Sequence, residues 1–273
     1  MAQPKITIIT CTLNSAKTLR ANLESVKSQT YKDFEQLFID GGSVDETVKI
    51  IKGYYEQPRL IISQAKGLYD AFNKGLRYAS GQVIGFLHSD DVFFDNNALA
   101  RIAKAFEDNN IDYYCSKMII YDGKLRSIFA ELGTVPHQQT LRDQLYSTTY
   151  FAHPTYYCKQ EIIKQVGDFD LAYQVASDID WLYRLEKVTS NFYFDANPLV
   201  KFRGEGGSSA SNYFRGLREE FAIRLKNEKP SFALYFIYSY HYLRRLVRFI
   251  LEKLKLYKLV FYARKLLFKL RIN

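Results

Sequence analysis

GQVIGFLHSDDVFFD, residues 81–95, runs from a glycine through an almost unbroken apolar segment and stops at two adjacent carboxylates, Asp90 and Asp91. Val83, Ile84, Gly85, Phe86 and Leu87 have the pattern of a short strand buried on both faces, as in a parallel sheet covered by helices. The carboxylates then stand at its C-terminal end, where open α/β sheets hold their ligands. Two like charges side by side are costly unless a cation or a set of donors offsets the repulsion, so the pair suggests a divalent ion on a phosphate. The competing reading is that one of them caps the following helix, since Asp is common at helix starts.

Working outward, strands are expected at 5–10, 34–40 and 59–63, with helices at 16–29, 45–55 and 69–78 between them and the opening stretch. Strand and helix in alternation mean parallel strands with crossover helices, a sheet of nucleotide-binding type. Beyond a helix at 96–108 the character changes. Segments 111–120 and 125–132 read as a hairpin turning at Asp122-Gly123. Helices follow at 138–146, 159–166 and 177–188, then short strands at 191–194 and 199–202. A loop, GEGGSSAS, precedes a helix at 213–227.

The 273 residues are enough for one large α/β domain with an appendage, and an apolar fraction of 47% suffices for its core. Three cysteines, Cys11, Cys115 and Cys158, lie far apart and suggest neither a disulfide framework nor a zinc knuckle, so a reducing cytosol is expected. The N-terminal MAQPKITIITCTLN lacks the charged and apolar blocks of a signal peptide and reads as a first strand. The net charge of +9 is unevenly placed: residues 230–273 hold ten Lys and Arg against one acid, Glu252, and the rest of the chain is balanced.

Polar residues gather where the strands end. Thr10, Thr12 and Asn14 follow the first, Asp40, Gly41, Gly42, Ser43 and Asp45 the second, Lys66, Gly67, Tyr69 and Asp70 the third, and Asp90 with Asp91 the fourth. The glycines let the backbone approach a ligand, and Asp40 has the acceptors to bind a nucleobase or ribose, although Asp-Gly-Gly is also an ordinary turn. Neither GxxxxGK[ST] nor a GxGxxG after the first strand is present, which argues against ATPase and dinucleotide-binding chemistry.

TCTLN at 10–14, IDGGSVDET at 39–47, GLYDAFNKGLRYASGQVIGFLHSDD at 67–91 and ASDIDWLYRL at 176–185 resemble, in order and spacing, the motifs of family 2 glycosyltransferases of the GT-A fold. The likeness covers residues 5–205. It implies an α/β GT-A fold, a mainly parallel sheet flanked by helices, as a catalytic domain over 1–210. It also implies a metal-dependent, inverting glycosyltransferase of hexosyltransferase type.

By the same resemblance Thr10, Thr12, Asn14, Asp40 and Gly41 surround the base and ribose, and Asp70, Asn73 and Lys74 line the nucleotide-sugar cleft. The metal aspartate, for Mg²⁺ or Mn²⁺, falls on Asp91, with Asp90 near the ribose or the metal. His88 occupies the position where the family's motif has its first acid, and an imidazole can itself ligate a metal. The catalytic base falls on Asp178, with Asp180 as the alternative, and Ser177 replaces the motif's first acid. Such a carboxylate takes the proton from an acceptor hydroxyl as its oxygen attacks the anomeric carbon. The alternative for Asp178 is that it only caps its helix. His137 and His153 lie in the acceptor half. His153, Trp181 and Arg184 are candidate acceptor or metal contacts, each with a structural role as the alternative.

Residues 211–273 form the C-terminal extension. From Arg244, RRLVRFILEKLKLYKLVFYARKLLFKLRIN places Arg244, Arg248, Lys255, Lys258, Lys265 and Lys269 on one side of a helix. Leu243, Leu246, Ile250, Leu254, Tyr257, Phe261 and Leu267 lie on the other. No uncharged run is long enough to span a bilayer, and residues 241–273 fit a helix lying on an anionic membrane surface. The expected partners are a nucleoside diphosphate sugar, UDP-linked first of all, and a lipid-linked glycan acceptor of bacterial surface polysaccharide such as O-antigen or capsule. The expected place is the cytoplasmic face of the plasma membrane, and nucleic acid is not expected. A sugar-nucleotide nucleotidyltransferase would need a Gly-rich basic loop after the first strand, which TCTLNSAKT does not supply. A non-catalytic scaffold would have no use for Asp40, Asp91 and Asp178 together.

Overall fold

The computed structural model describes residues 5–121, 128–136, 138, 152–204 and 212–254. The chain begins with β1 (Ile6–Thr12), α1 (Leu19–Lys27), β2 (Phe34–Asp40), α2 (Thr47–Tyr54), β3 (Arg59–Ile62), α3 (Leu68–Tyr78) and β4 (Val83–Phe86). It continues with β5 (Val92–Phe93), α4 (Ala98–Asn109), β6 (Tyr113–Tyr121) and β7 (Ile128–Leu132). A 3₁₀ turn (His153–Thr155), β8 (Tyr157–Lys159), α5 (Gln160–Val166), α6 (Ser177–Val188), β9 (Phe192–Arg203), α7 (Tyr213–Asn227) and α8 (Phe232–Lys253) complete it. His137, the turn at 122–123, the loop 205–211 and the tail from 255 onward fall outside the described residues, as does the helix expected at 138–146 beyond residue 138.

Among the described residues the strands form one sheet in the order β3-β2-β1-β4-β8-β6-β9-β5, with β7 on β6. It is parallel from β3 to β4, then mixed: β8 runs antiparallel to both β4 and β6, while β6 and β9 are parallel. Side-chain alternation sorts the core into two layers. Ile6, Ile8, Val83 and Leu87 pack with Val26 of α1 and Leu99, Ile102 and Phe106 of α4. Ile9, Leu37, Ile39, Ile84 and Phe86 pack on the other face with Phe72 of α3, Ile163 of α5 and Leu182 and Leu185 of α6. Gly85 is required in the opening strand, because a Cβ there would lie 2.4 Å from the ring of Tyr157 on β8.

Two local expectations change. The carboxylates of the opening stretch cap no helix, since the chain passes from Asp91 into β5 and α4 begins only at Ala98. The two short strands expected near 191–202 are one twelve-residue strand, β9. Asp195 Oδ1 accepts the backbone and side-chain N–H groups of Asn197 at 2.9 and 2.8 Å, and the pairing with β6 shifts register at Lys117, so a local bulge carries the strand past Pro198. Within the extension, Ile223 of α7 belongs to the same apolar core as α3 and α6. Along α8, Leu234, Ile237, Tyr238 and His241 are buried, whereas Leu243, Val247, Phe249, Ile250 and Leu254 stand exposed.

Candidate active site

Parallel β1, β2, β3 and β4 deliver their following loops to one rim of the sheet, and the strand order reverses between β1 and β4. Asp40, at the end of β2, is wholly buried. Its Oδ1 accepts the N–H groups of Gly42 at 3.0 Å and Ser43 at 2.8 Å. Its Oδ2 accepts the hydroxyls of Thr12 and Ser43, both at 2.7 Å. Four donors occupy its lone pairs, so Asp40 shapes the glycine loop. Gly41 is held in turn by its N–H to Thr12 O at 2.9 Å. Asn14, with φ of 51°, accepts the Val44 N–H at 2.9 Å and donates its own N–H to Ser43 Oγ at 2.8 Å, tying the first loop to the second.

Thr10 is buried below the rim and accepts from Gln36 Nε2 at 3.0 Å. Gln36 Nε2 also reaches Asn22 Oδ1 at 2.9 Å, and Asn22 Nδ2 donates to the carbonyls of His88 at 2.8 Å and Asp91 at 3.0 Å. This buried polar chain fixes the loop after β4. Sequence reading missed both amides, although each stood out as a polar residue inside an apolar pattern: Asn22 among Leu19, Leu23 and Val26, and Gln36 beside Leu37 and Phe38.

Asp91 is also wholly buried. Its Oδ1 accepts the Arg203 N–H at 2.8 Å, while its Oδ2 is buried without a partner. Burial pushes this carboxyl well above its usual range, the charge of Asp90 adds to the effect, and the Arg203 backbone N–H opposes it. Asp90 is partly exposed, and its carbonyl accepts Arg203 Nε at 3.1 Å. Ser89 Oγ lies 2.9 Å from Ser15 Oγ of the β1 loop. A buried hard oxygen in need of a cation fits Mg²⁺ or Mn²⁺. No group of three or more His, Cys, Asp or Glu able to hold a metal occurs among the described residues.

On α3, Asp70 pairs with Lys74 at 3.0 Å and accepts the Lys66 N–H at 2.9 Å, and Lys74 also donates to Gln64 O at 3.1 Å. The two brace the loop before α3, where both are partly exposed. Asn73, expected among the cleft residues, lies between them on α3. It is buried, with Nδ2 donating to Phe169 O at 3.0 Å and Oδ1 accepting Phe169 N–H at 2.8 Å, so its amide joins α3 to the loop before α6.

Asp178 stands in the first turn of α6, partly exposed. Burial of its carboxyl raises its pKa, and a hydrogen bond from Tyr69 opposes the rise. Tyr69 Oη lies 2.8 Å from Asp178 Oδ1 and 2.7 Å from the Val175 carbonyl. Asp180 is buried and bound to Arg184 Nε at 2.9 Å, with Lys226 Nζ at 3.8 Å. Arg184 donates further to Val166 O at 2.6 Å and Asp168 O at 2.8 Å. Trp181 is buried, stacked on Phe169 at 5.4 Å, with its indole N–H on Gly167 O at 2.8 Å. Asp180, Trp181 and Arg184 therefore brace the structure around the α6 turn.

His153 is buried and stacks on Phe72 at 5.5 Å, and its pKa is lowered to about 3 by burial and by His88. Its neutral ring belongs to an aromatic cluster. His88, whose pKa burial also lowers against the opposing charge of Asp90, stacks on the same Phe72 ring at 5.7 Å. Phe72 meets Tyr69 edge-on at 5.7 Å. One phenyl ring thus separates the β4 loop from the tyrosine that touches Asp178.

Residues 7–167 match the sequence profile of Glycosyl transferase family 2. A PGL/p-HBAD biosynthesis glycosyltransferase of Mycobacterium bovis is 32% identical over 188 residues, covering 67% of this chain and 70% of that protein. An uncharacterized glycosyltransferase of Rickettsia prowazekii is 25% identical over 224 residues, covering 79% and 69%. Among solved structures, S. aureus TarS 1–349 in complex with UDP-GlcNAc superposes with a TM-score of 0.63 at 19% identity, covering 86% of this chain and 70% of that one. The mannosyltransferase PcManGT of Pyrobaculum calidifontis, in complex with GDP-Man and Mn²⁺, gives 0.64 at 16% identity, covering 88% and 69%. The fold is that of the GT-A glycosyltransferases, as the motifs implied.

Proposed function

This chain belongs to glycosyltransferase family 2, and from that premise we propose that it moves a sugar, with inversion, from a nucleoside diphosphate sugar to a hydroxyl of a lipid-linked glycan. A UDP-sugar is the favoured donor and bacterial surface polysaccharide the favoured product. The observation that supports the reading is a buried Asp91 with one oxygen unpartnered in the loop after β4, a loop whose His88 stacks on Phe72, while the same ring meets Tyr69, the hydroxyl that touches Asp178.

Asp178 takes the acceptor's proton, and its raised pKa makes it a better proton acceptor than an ordinary carboxylate. The loops shaped by Asp40, Asn14 and Asp45 receive the nucleotide, and Asp91, with Asp90 beside it, holds the metal. A divalent cation bound there supplies charge to the departing diphosphate. UDP-GlcNAc in TarS and GDP-Man with Mn²⁺ in PcManGT support a nucleotide-sugar donor and a metal.

The membrane reading rests on α8. No helix among the described residues is long and apolar enough to cross a membrane. Yet Leu243, Leu246, Val247, Phe249, Ile250 and Leu254 are exposed on a segment whose sequence neighbours include Arg244, Arg245 and Arg248. An apolar stripe among basic residues fits the interface of an anionic leaflet and supports a position on the cytoplasmic face of the plasma membrane. Co-sedimentation with phosphatidylglycerol vesicles is expected to fall as salt rises and to be lost in Leu243→Glu/Ile250→Glu; unchanged binding by that variant would remove this role.

A screen of UDP-glucose, UDP-N-acetylglucosamine and GDP-mannose with Mn²⁺ and bacterial lipid extract, read as nucleotide release and product linkage, tests the activity. Asp178→Asn is expected to keep donor binding and to lose about 100- to 10,000-fold in transfer. Transfer that survives this change would move the base elsewhere.

A further inference from the structure

The turn that leads into α6 is gripped from two sides. From α3, Tyr69 Oη reaches both the Val175 carbonyl and Asp178. From α7, the carboxylate of Glu219 accepts three consecutive backbone N–H groups: Gln174 at 3.2 Å, Val175 at 2.8 Å and Ala176 at 3.1 Å. Ala176 is the N-cap residue of α6, and no side chain of its own caps the helix. Glu219 thus brings an anion to the start of α6, where the helix dipole favours one.

Other contacts hold α7 in place for this. Gly216 lets it approach Val175 so closely that a Cβ would lie 3.0 Å from Val175 Cγ1. Arg215 donates to the side chain of Gln174, Lys187 to Asn227 at 2.6 Å, and the Tyr183 hydroxyl to Glu228.

We propose that Glu219 is a positioning residue for Asp178: through the backbone of 174–176 it holds the first turn of α6, so that the carboxylate stays against Tyr69. The inference rests on Asp178 being the base. It gives the start of the C-terminal extension a part in the chemistry without contact with substrate. The titratable groups that bear on Asp178 from neighbouring elements are Tyr69 of α3 and Glu219 of α7. On α6 itself, Asp180 is held by Arg184, with Lys226 of α7 nearby.

The two neighbours act in opposite senses, because the Tyr69 hydrogen bond favours the ionised carboxylate and the Glu219 charge disfavours it. The test is a ¹³C NMR titration of carboxyl-labelled aspartate in the full chain, with the Asp178 resonance assigned by its loss in Asp178→Asn. Glu219→Gln is expected to lower the Asp178 pKa and Tyr69→Phe to raise it. In transfer assays Glu219→Ala is expected to lose about 10- to 100-fold in kcat with donor KM near the wild-type value. Glu219→Gln, which retains a carbonyl acceptor for the amides, should recover most of that loss. An Asp178 titration that is the same in wild type, Glu219→Gln and Tyr69→Phe overturns the proposal, whatever happens to turnover. If the titrations move as stated but Asp178→Asn still transfers sugar, the grip on Asp178 stands and the assignment of the base fails.

Discussion

Asp40 and Asp91 are two wholly buried carboxylates at the ends of parallel strands on one rim, and they are treated in opposite ways. Thr12 of β1 and the loop after β2 surround Asp40 with four donors. Asp91 receives one backbone N–H, from Arg203 at the end of β9, and its second oxygen has no hydrogen-bond partner. Burying an unmatched carboxylate oxygen costs stability, whereas a fully bonded one can hold a loop together. Asp40 therefore helps hold its loop together, whereas burial of Asp91 with one oxygen unpartnered costs the fold stability.

The sharpest way to break this contrast is to remove each charge in turn. Asp91→Asn is expected to reduce transfer by about 100- to 1000-fold, as the loss of charge stabilisation at a leaving group does, with a melting temperature equal to or above wild type. A large drop in melting temperature would put Asp91 in the same class as Asp40. Asp40→Ala should do the reverse to the fold, costing about 2–4 kcal/mol in denaturant unfolding by orphaning buried donors. Near-wild-type stability would show that those four bonds do little.

A smaller effect sharpens the same point. Mn²⁺ at about one hundred times its Kd should stabilise wild type by about 2.7 kcal/mol and leave Asp91→Asn unaffected, read by thermal unfolding without donor. The pH dependence follows from the raised pKa of Asp91 in the fold. A carboxylate whose folded pKa lies above its unfolded value of 3.8 contributes most below that value, and the contribution is lost as pH rises towards the folded pKa. Without metal, the stability of wild type relative to Asp91→Asn should therefore decline as pH climbs from about 4, and a flat difference would mean that Asp91 titrates normally.

The parallel half of the sheet was legible because its strands are apolar runs punctuated by helices of the right length, and the four polar strand ends converge as parallel strands require. The residues that hold those ends in place were harder to read. Asn73 falls in a motif, but its amide is directed by the backbone of Phe169, 96 positions away, and no local pattern announces such a partner. Arg184 and Trp181 follow the expected base in sequence, but their hydrogen bonds go to the carbonyls of Asp168 and Gly167, partners that no local pattern announces. Charge bias drew attention to the basic end of the extension and away from α7, whose Glu219 is an unremarkable acid on a surface helix until the turn at 174–176 meets it.

The bond from the Arg203 N–H to Asp91 joins residues 112 positions apart, and Glu219 grips the base turn from later still in the chain. Contacts of such separation form late, because loop closure precedes any gain from them. During synthesis the first sheet can assemble well before Asp91 gains the Arg203 N–H or the turn at 174–176 gains Glu219. A nascent chain lacking α7 would therefore have a nucleotide-binding type of sheet without a finished catalytic centre, so competence would be timed to the emergence of the segment that leads into α8.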